Sequence, residues 1–238
     1  MLAPFLAVIE RQEPALPEKD AVHDARVACR RLRAALRLLG LRELDGPVKD
    51  LQDALGEVRD LQLQAEWLRP RDERLHRQRA ALIRKATRAL VAAVRRWHTH
   101  TLPLLIQADV KRPPAKKVRK ILRRRLAKLE ERLEAARDRP TPRAMHRARI
   151  SVKQVRYLLE LAPALPRRAK ARVADLKSLQ ASLGELHDVD VRIALLRGRR
   201  ALLREQREAR ARLLKVALAQ LSRWHKQRVA QKARDALR

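Results

Sequence analysis

Glycine and aromatic residues are scarce in this chain of 238 residues, and their scarcity excludes several classes of protein. Only 5 residues are glycine, and aromatic residues make up 2% of the sequence. Rossmann turns and phosphate-binding loops need clustered glycines, and a surface that stacks nucleic-acid bases needs aromatic rings. β-Barrels are disfavoured too, because no stretch alternates apolar and polar residues with β-branched side chains.

Cysteine and long apolar runs are equally rare. The single cysteine, Cys29, excludes an intramolecular disulfide and a cysteine-based zinc site, and it fits a reducing compartment. The longest apolar stretch, residues 1–9, is too short for a signal sequence or a membrane span. We therefore expect a cytoplasmic protein without membrane insertion.

Positive charge is what the sequence has in excess. Its 58 Lys and Arg residues against 27 Asp and Glu residues give a formal net charge of +31 and a pI near 11.7. A charge of this size predicts a polyanionic partner. Because 46% of the residues are hydrophobic, the chain can also bury a core and is not a disordered basic tail.

The hydrophobic pattern predicts an all-α fold. Apolar residues recur at intervals of three and four along nearly the whole chain. Prolines and glycines separate the helical segments. The predicted helices cover residues 2–12, 20–39, 47–68, 72–98 or beyond, 115–137, 142–161, 167–196 and 199–236.

Two motifs occur twice, in the same order. Val-His-Asp-Ala-Arg-Val at residues 22–27 corresponds to Met-His-Arg-Ala-Arg-Ile at residues 145–150. Leu-Gln-Asp-Ala-Leu-Gly-Glu-Val-Arg-Asp at residues 51–60 corresponds to Leu-Gln-Ala-Ser-Leu-Gly-Glu-Leu-His-Asp at residues 179–188. Nearly equal offsets of 123 and 128 residues indicate an internal duplication.

Each repeat holds four predicted helices, the number that closes a bundle core. We therefore expect two pseudo-symmetric four-helix bundles, residues 1–110 and residues 111–238. The lead helix of the first repeat, residues 2–12, is much shorter than that of the second, residues 115–137. The first bundle is thus expected to be less complete.

The second helix of each repeat has a basic face beside its apolar face, turned from it by about 120°. Like charges at this spacing repel by a few tenths of a kcal/mol per pair, so a bound anion would stabilise the helix. A solvated face is the alternative interpretation, but a histidine in the same register in both copies favours phosphate, to which a charged histidine donates. The basic face consists of His23, Arg26, Arg30, Arg33 and Arg37 in the first copy and of His146, Arg149, Lys153 and Arg156 in the second.

The following helix of each repeat adds a second polar face with a glycine in its middle. A mid-helix glycine costs about 1 kcal/mol relative to alanine, which indicates that a packed backbone or a ligand comes close. The acids of the repeated motif are interpreted as holding Arg or His side chains rather than a metal, since no Glu-x-x-His motif occurs. These faces consist of Lys49, Gln52, Gly56 and Arg59, and of Lys177, Gln180, Gly184 and His187, and the acids are Glu57, Asp60, Glu185 and Asp188.

The pattern His-x-x-Arg-x-x-x-Arg-x-x-Arg followed by Leu-Gln-x-x-Leu-Gly-Glu-x-x-Asp resembles the CHAD domain, the conserved histidine α-helical domain. The resemblance implies two four-helix bundles with a basic groove or pore between them that binds inorganic polyphosphate, and it implies association with polyphosphate granules. By matched position it assigns binding to His23, Arg26, Arg30, Arg33, Lys49 and Arg59, and to His146, Arg149, Lys153, Arg156, Lys177 and His187.

We therefore expect a non-enzymatic polyphosphate-binding protein with no catalytic residue, metal or cofactor. The alternative is a duplex DNA or RNA binder, because a net charge of +31 attracts nucleic acid non-specifically through counterion release. A basic segment, residues 111–128, is expected to speed the capture of polyanions without being the specific site.

Overall fold

Helices and the turns between them make up the part of the chain that the computed structural model describes. These are residues 1–111, 113–162 and 165–237, and within them no β-strand occurs. The predicted all-α fold is confirmed. Arg112, which belongs to the predicted basic segment, lies outside the described residues.

The described helices fall into two units, Met1–Pro113 and Pro114–Arg238. The sequence placed this division between residues 110 and 111. The first unit contains α1 (Ala3–Gln12), α2 (Lys19–Leu39), α3 (Asp45–Leu68), α4 (Glu73–Arg96) and α5 (Leu102–Gln107). The second contains α6 (Ala115–Asp138), α7 (Pro142–Leu161), α8 (Arg167–Lys170), α9 (Arg172–Leu195), α10 (Arg200–Lys226) and α11 (Val229–Asp235).

The apolar face of α2 forms part of the core of the first unit, where α2 packs between α1 and α3. Cys29, Leu32 and Leu36 have no exposed surface, as their helical spacing predicts. The helix ends at Gly40, whose φ of 90° is left-handed, and the Gly40 N–H donates to the Leu36 carbonyl at 2.9 Å. This packing leaves the basic face of α2 beside α3.

A wide turn joins α4 to α5 just before Pro103. Residues Trp97–Thr101 form a π turn, and α5 begins at Leu102. Proline cannot donate a backbone hydrogen bond and its ring crowds the preceding turn, which the wider π turn accommodates. Trp97 is buried, and His98 Nε2 lies 2.7 Å from Glu13 Oε2, which ties this turn to the segment after α1.

The prediction of one continuous helix over residues 199–236 is wrong. The chain leaves α10 after Lys226, and Arg228 has a left-handed φ of 49° before α11 begins. No glycine or proline marks this turn. The turn forms because tertiary packing favours it. It allows α11 to pack on α6, which buries Val229 and Ala230. In the same contact Arg234 Nη1 pairs with Glu130 Oε2 at 2.7 Å.

The lead helices of the two units differ as expected. The first, α1, has 10 residues and packs on α2, whereas α6 has 24 residues and packs on α7, α10 and α11. Among the described helices none is both long and apolar enough to span a membrane.

Candidate functional site

Two side-chain contacts bring the predicted basic face of α2 onto the predicted polar face of α3. Arg33 Nη1 donates to Gln52 Oε1 at 3.1 Å, and the guanidinium of Arg26 passes over Gly56. We call the joined faces the first basic seam. It consists of His23, Arg26, Arg30, Arg33 and Arg37 on α2 and Lys49, Gln52, Gly56 and Arg59 on α3.

Gly56 makes room for an arginine of this seam. A Cβ at this position would lie 3.2 Å from Nε and 3.3 Å from Nη2 of Arg26, closer than side chains normally approach. The sequence left open whether a packed backbone or a ligand comes close to this glycine. The structure shows that the neighbour is the Arg26 guanidinium, so the glycine keeps a cation of the seam in place.

Acidic residues fix the arginines at both ends of the seam. Asp45 accepts from Arg33 Nε at 2.8 Å and from Arg37 Nη2 at 2.9 Å. Burial alone would raise the pKa of Asp45, but the hydrogen bonds from the two arginines outweigh it and hold that pKa below its usual value. Asp60 Oδ1 lies 3.3 Å from Arg26 Nη1, which confirms the role predicted for this acid.

The cations contributed by α3 are held less tightly. Lys49 is exposed and pairs with Asp53 one turn along the same helix. Arg59 Nη1 donates to the backbone carbonyl of Lys19 at 3.2 Å, one turn before His23, which is itself exposed. The end of the seam that holds His23 and Arg59 is therefore open to solvent, whereas Arg33 is mostly buried.

The second unit joins the same two faces on α7 and α9. A Cβ at Gly184 would lie 4.0 Å from Arg149 Nε, an ordinary contact distance. His146 and His187 meet with their Nδ1 atoms 3.3 Å apart and their ring centroids 4.6 Å apart. We call this surface the second basic seam, and it consists of His146, Arg149, Lys153 and Arg156 on α7 and Lys177, Gln180, Gly184 and His187 on α9.

The two seams differ in the ion pairs at one end, where Arg33 of the first seam matches Arg156 of the second. Arg156 pairs with Glu160 at 3.0 Å on its own helix, and its guanidinium lies 4.6 Å from the centre of the Tyr157 ring. Glu160 occupies the position that is Arg37 in the first copy, at the offset of 123 residues. At this position the second seam thus has an acid in place of the cation of the first.

The two histidines of the second seam resist protonation. Burial, followed by the charges of Arg149 and Lys153, lowers the pKa of His146 below its usual value. Burial, Arg149, His146 and Lys153, in that order, lower the pKa of His187 to about 4. Both rings are therefore largely neutral at pH 7.

The exposed cations on the first half of α6 form a different kind of surface. Lys116, Lys120, Arg123 and Arg124 are exposed, and no acid lies in the first turn of α6. These side chains stand on one helix that has no glycine, and no hydrogen bond or ion pair to another of the described residues holds them. They raise the local positive potential, as expected of the basic segment.

Neither seam contains the groups of a metal site. Among residues 1–111, 113–162 and 165–237, no three His, Cys, Asp or Glu side chains are placed to hold an ion. Cys29 is buried in the first unit, and burial raises the pKa of its thiol to about 12. What the seams offer chemically is charge and hydrogen-bond donors.

Sequence reasoning missed Asp45, which holds two arginines of the first seam. Its Asp-Gly-Pro context indicated a turn between helices, yet α3 already begins at Asp45. The available signal was a lone acid at a helix start, close to two arginines at the end of the preceding helix. The matched position in the second copy is Val173, so the repeat did not draw attention to it.

Comparisons with known proteins agree with this architecture. The family model of the CHAD domain matches residues 1–197. The chain is similar to the crystal structure of the CHAD domain from the plant Ricinus communis, with a TM-score of 0.63 and 25% sequence identity, over 99% of this chain and 88% of that one. No curated protein matches the sequence.

Proposed function

The chain belongs to the CHAD domain family, and on that premise we propose that it binds inorganic polyphosphate, without cleaving it, through its two basic seams. The observation that carries the proposal is the placement of Arg26 in the first seam, where its guanidinium lies over the mid-helix Gly56 and pairs with Asp60 at 3.3 Å. A cation already held in place loses less conformational freedom when it binds an anion. The first seam thus has the preorganisation that a specific anion site needs.

The members of each seam divide into cations that bind and cations that position. Arg33, Arg37 and Arg156 are paired with Asp45 or Glu160, whose side chains are only 22% and 23% exposed, so we assign these cations to positioning and to the local potential. Arg26 and Lys49 pair with Asp60 and Asp53, whose side chains are 58% and 51% exposed, so solvent weakens these pairs and phosphate can replace the acid. Direct contact with phosphate oxygens falls to the remaining members of the seams. These are His23, Arg26, Arg30, Lys49 and Arg59 in the first seam and His146, Arg149, Lys153, Lys177 and His187 in the second.

The spacing of these cations favours a thin, flexible polyanion. Along α2 and along α7 one cation follows another about every turn, or about 5.4 Å. Polyphosphate has a charge on every unit and single-bond flexibility, so its phosphates can follow such a row between two packed helices. A rigid duplex presents its phosphates on a wide surface and reaches half-buried side chains poorly.

We also propose that the protein is not an enzyme. The seams contain no activated nucleophile with an adjacent base, and Cys29, the only thiol in the chain, is buried and protonated. The proposal extends to localisation, because a cytoplasmic protein with these seams would concentrate on polyphosphate granules. Incubation with long-chain polyphosphate and Mg²⁺ should release no orthophosphate above the blank.

Duplex nucleic acid is the second candidate partner, and the exposed face of α6 is the observation that favours it. Lys116, Lys120, Arg123 and Arg124 are accessible to a wide, flat polyanion. Counterion release at such a face gives affinity that falls steeply with salt. We expect nucleic acid to bind there weakly and non-specifically at physiological salt.

A pair of glycine substitutions tests the proposed polyphosphate site. Gly56→Ala places a methyl group 3.2 Å from Arg26 Nε, so that guanidinium must shift by a few tenths of an ångström, whereas Gly184→Ala meets Arg149 only at 4.0 Å. A shifted guanidinium loses part of one charge-assisted contact, so polyphosphate binding should weaken about threefold to tenfold in Gly56→Ala. Mid-helix alanine is favoured over glycine by about 1 kcal/mol, so the variant should stay folded.

The measurement is a fluorescence or calorimetric titration of both variants with long-chain polyphosphate at physiological salt. Gly184→Ala is the matched control, and its affinity should stay within about twofold of the wild type. Equal affinities for Gly56→Ala and the wild type would mean that the seated Arg26 does not contact polyphosphate.

A further inference from the structure

The two basic seams differ at several matched positions, and one of these is Arg59 in the first seam and His187 in the second. Arginine keeps its charge at every pH at which proteins are handled. Histidine does not, and His187 lies against His146 with an Nδ1 to Nδ1 distance of 3.3 Å. The charge at this position is therefore permanent in the first seam and depends on protonation in the second.

The geometry of the histidine pair sets how many protons it can hold. At 3.3 Å one Nδ1–H can donate to the lone pair of the other Nδ1, and the accepting ring then carries its own proton on Nε2. The donating ring has a free lone pair on its Nε2, so one added proton makes it an imidazolium whose Nδ1–H bond to the neutral ring is strengthened. A second added proton would set two N–H groups against each other, so the pair takes up one proton.

The charges around the pair are cationic and come from α7. Arg149 and Lys153 both act on the two rings and disfavour their protonation. The neighbouring Asp188 on α9 is exposed. A bound phosphate chain would offset these cations and favour the charged pair.

Two cations on the helices packed on the other sides of α7 and α9 are engaged by other partners. Arg132 of α6 donates to Ser151 Oγ at 2.8 Å, and Arg210 of α10 pairs with Asp190 at 2.5 Å. The protonation of the pair therefore depends mainly on Arg149, on Lys153 and on any anion bound in the second basic seam.

On the premise of the proposed function, we propose that the second basic seam takes up one proton at the His146–His187 pair when it binds polyphosphate, whereas the first seam has Arg59 at the matched position and no such pair. The proton comes from the solvent and binds Nε2 of the ring whose Nδ1–H donates. It returns to the solvent when polyphosphate leaves. The protonated pair then presents two Nε2–H donors in place of one.

The direction of the pH dependence follows from the uptake of a proton. Binding that takes up one proton strengthens by up to about tenfold for each pH unit that the pH falls, within the range where the free pair is neutral and the bound pair is charged. The lower limit of this range is set by the free protein, in which the pKa of His187 is about 4. We expect affinity to rise about tenfold between pH 8 and pH 6, because the lysines and arginines of both seams contribute a constant part.

Isothermal titration of the full chain with long-chain polyphosphate, in two buffers of different ionisation enthalpy at pH 7, measures the proton uptake directly. Long chains are the probe because their interior phosphates stay fully ionised and only the two ends titrate. The decisive variant is His187→Arg, which installs the residue of the matched position Arg59 and removes the pair. A second variant, His146→Gln, removes the pair without adding charge.

The expected result is a proton uptake that is smaller in either variant than in the wild type, by at most one proton per chain. His187→Arg should also bind at pH 8 at least as tightly as the wild type and with a weaker dependence on pH. His100→Gln is the control, since His100 is exposed in the turn before α5 and lies outside both basic seams, and its proton uptake should match the wild type.

Uptake that is undiminished in His187→Arg, or that disappears in His100→Gln, would overturn the inference. Binding by the wild type that is tight but independent of pH would overturn it as well and leave the proposed function standing. No binding between pH 6 and pH 8 in any of these proteins would instead refute the proposed function itself.

Discussion

Reversing the charges of Arg30 and Lys153 together is expected to weaken polyphosphate binding by about a hundredfold or more. A hydrogen bond to a charged group contributes about 1.5–3 kcal/mol, and both seams lose one such contact in this variant. The two residues occupy matched positions, 30 and 153, in the middle of the basic faces of α2 and α7. Replacing each by glutamate also repels the anion that the neighbouring arginines attract.

The matched control is the double variant Lys120→Glu with Arg123→Glu on α6. It lowers the net charge by the same amount, four units, and it changes one lysine and one arginine as well. These side chains are exposed and lie outside both seams, so affinity should fall only about threefold to fivefold through the weaker long-range potential. If the two double variants lose the same affinity, polyphosphate is held by overall charge and the site assignment is wrong.

Polyphosphate is expected to stabilise the fold against heat. A ligand at about 100 times its dissociation constant adds about 2.7 kcal/mol to the free energy of unfolding, which corresponds to about 5–10 °C for a chain of this length. The physical reason is that the anion relieves the repulsion among cations such as Arg26 and Arg30, which lie four residues apart on α2.

Differential scanning calorimetry at low salt, with and without saturating long-chain polyphosphate, measures this shift. The control is orthophosphate at the same concentration of phosphate units, which cannot bridge successive cations and should shift the melting temperature little. An unchanged melting temperature with long-chain polyphosphate would count against binding at a folded site.

The sequence predicted the parts of the fold that depend on local pattern. The boundaries of α2 and α7 and the buried apolar face of α2 follow from three-and-four spacing and from punctuation by Gly40 and Pro142. The break at Arg228 could not be predicted, because a left-handed arginine has no sequence signature and the gain comes from packing α11 on α6.

In the candidate site too, the spacing of residues along a helix could be predicted, whereas contacts between helices could not. Helical spacing selected all thirteen basic residues and histidines of the two seams, since each follows from the register of a repeat. It could not show that Asp45 reaches back to Arg33, or that His146 and His187 meet, because these contacts join different helices. The position of Arg26 over Gly56 likewise depends on how α2 packs against α3, so the sequence could not show it.

Competition between long-chain polyphosphate and duplex DNA for the purified chain at physiological salt tests the central claim most directly. The two polyanions are added at equal concentrations of phosphate, and the fraction of labelled polyphosphate that stays bound is measured. Preorganised seams between packed helices predict that duplex DNA displaces little polyphosphate and that polyphosphate strips the chain from DNA. Displacement of polyphosphate by an equal amount of duplex would contradict the account and make the protein a non-specific binder of polyanions.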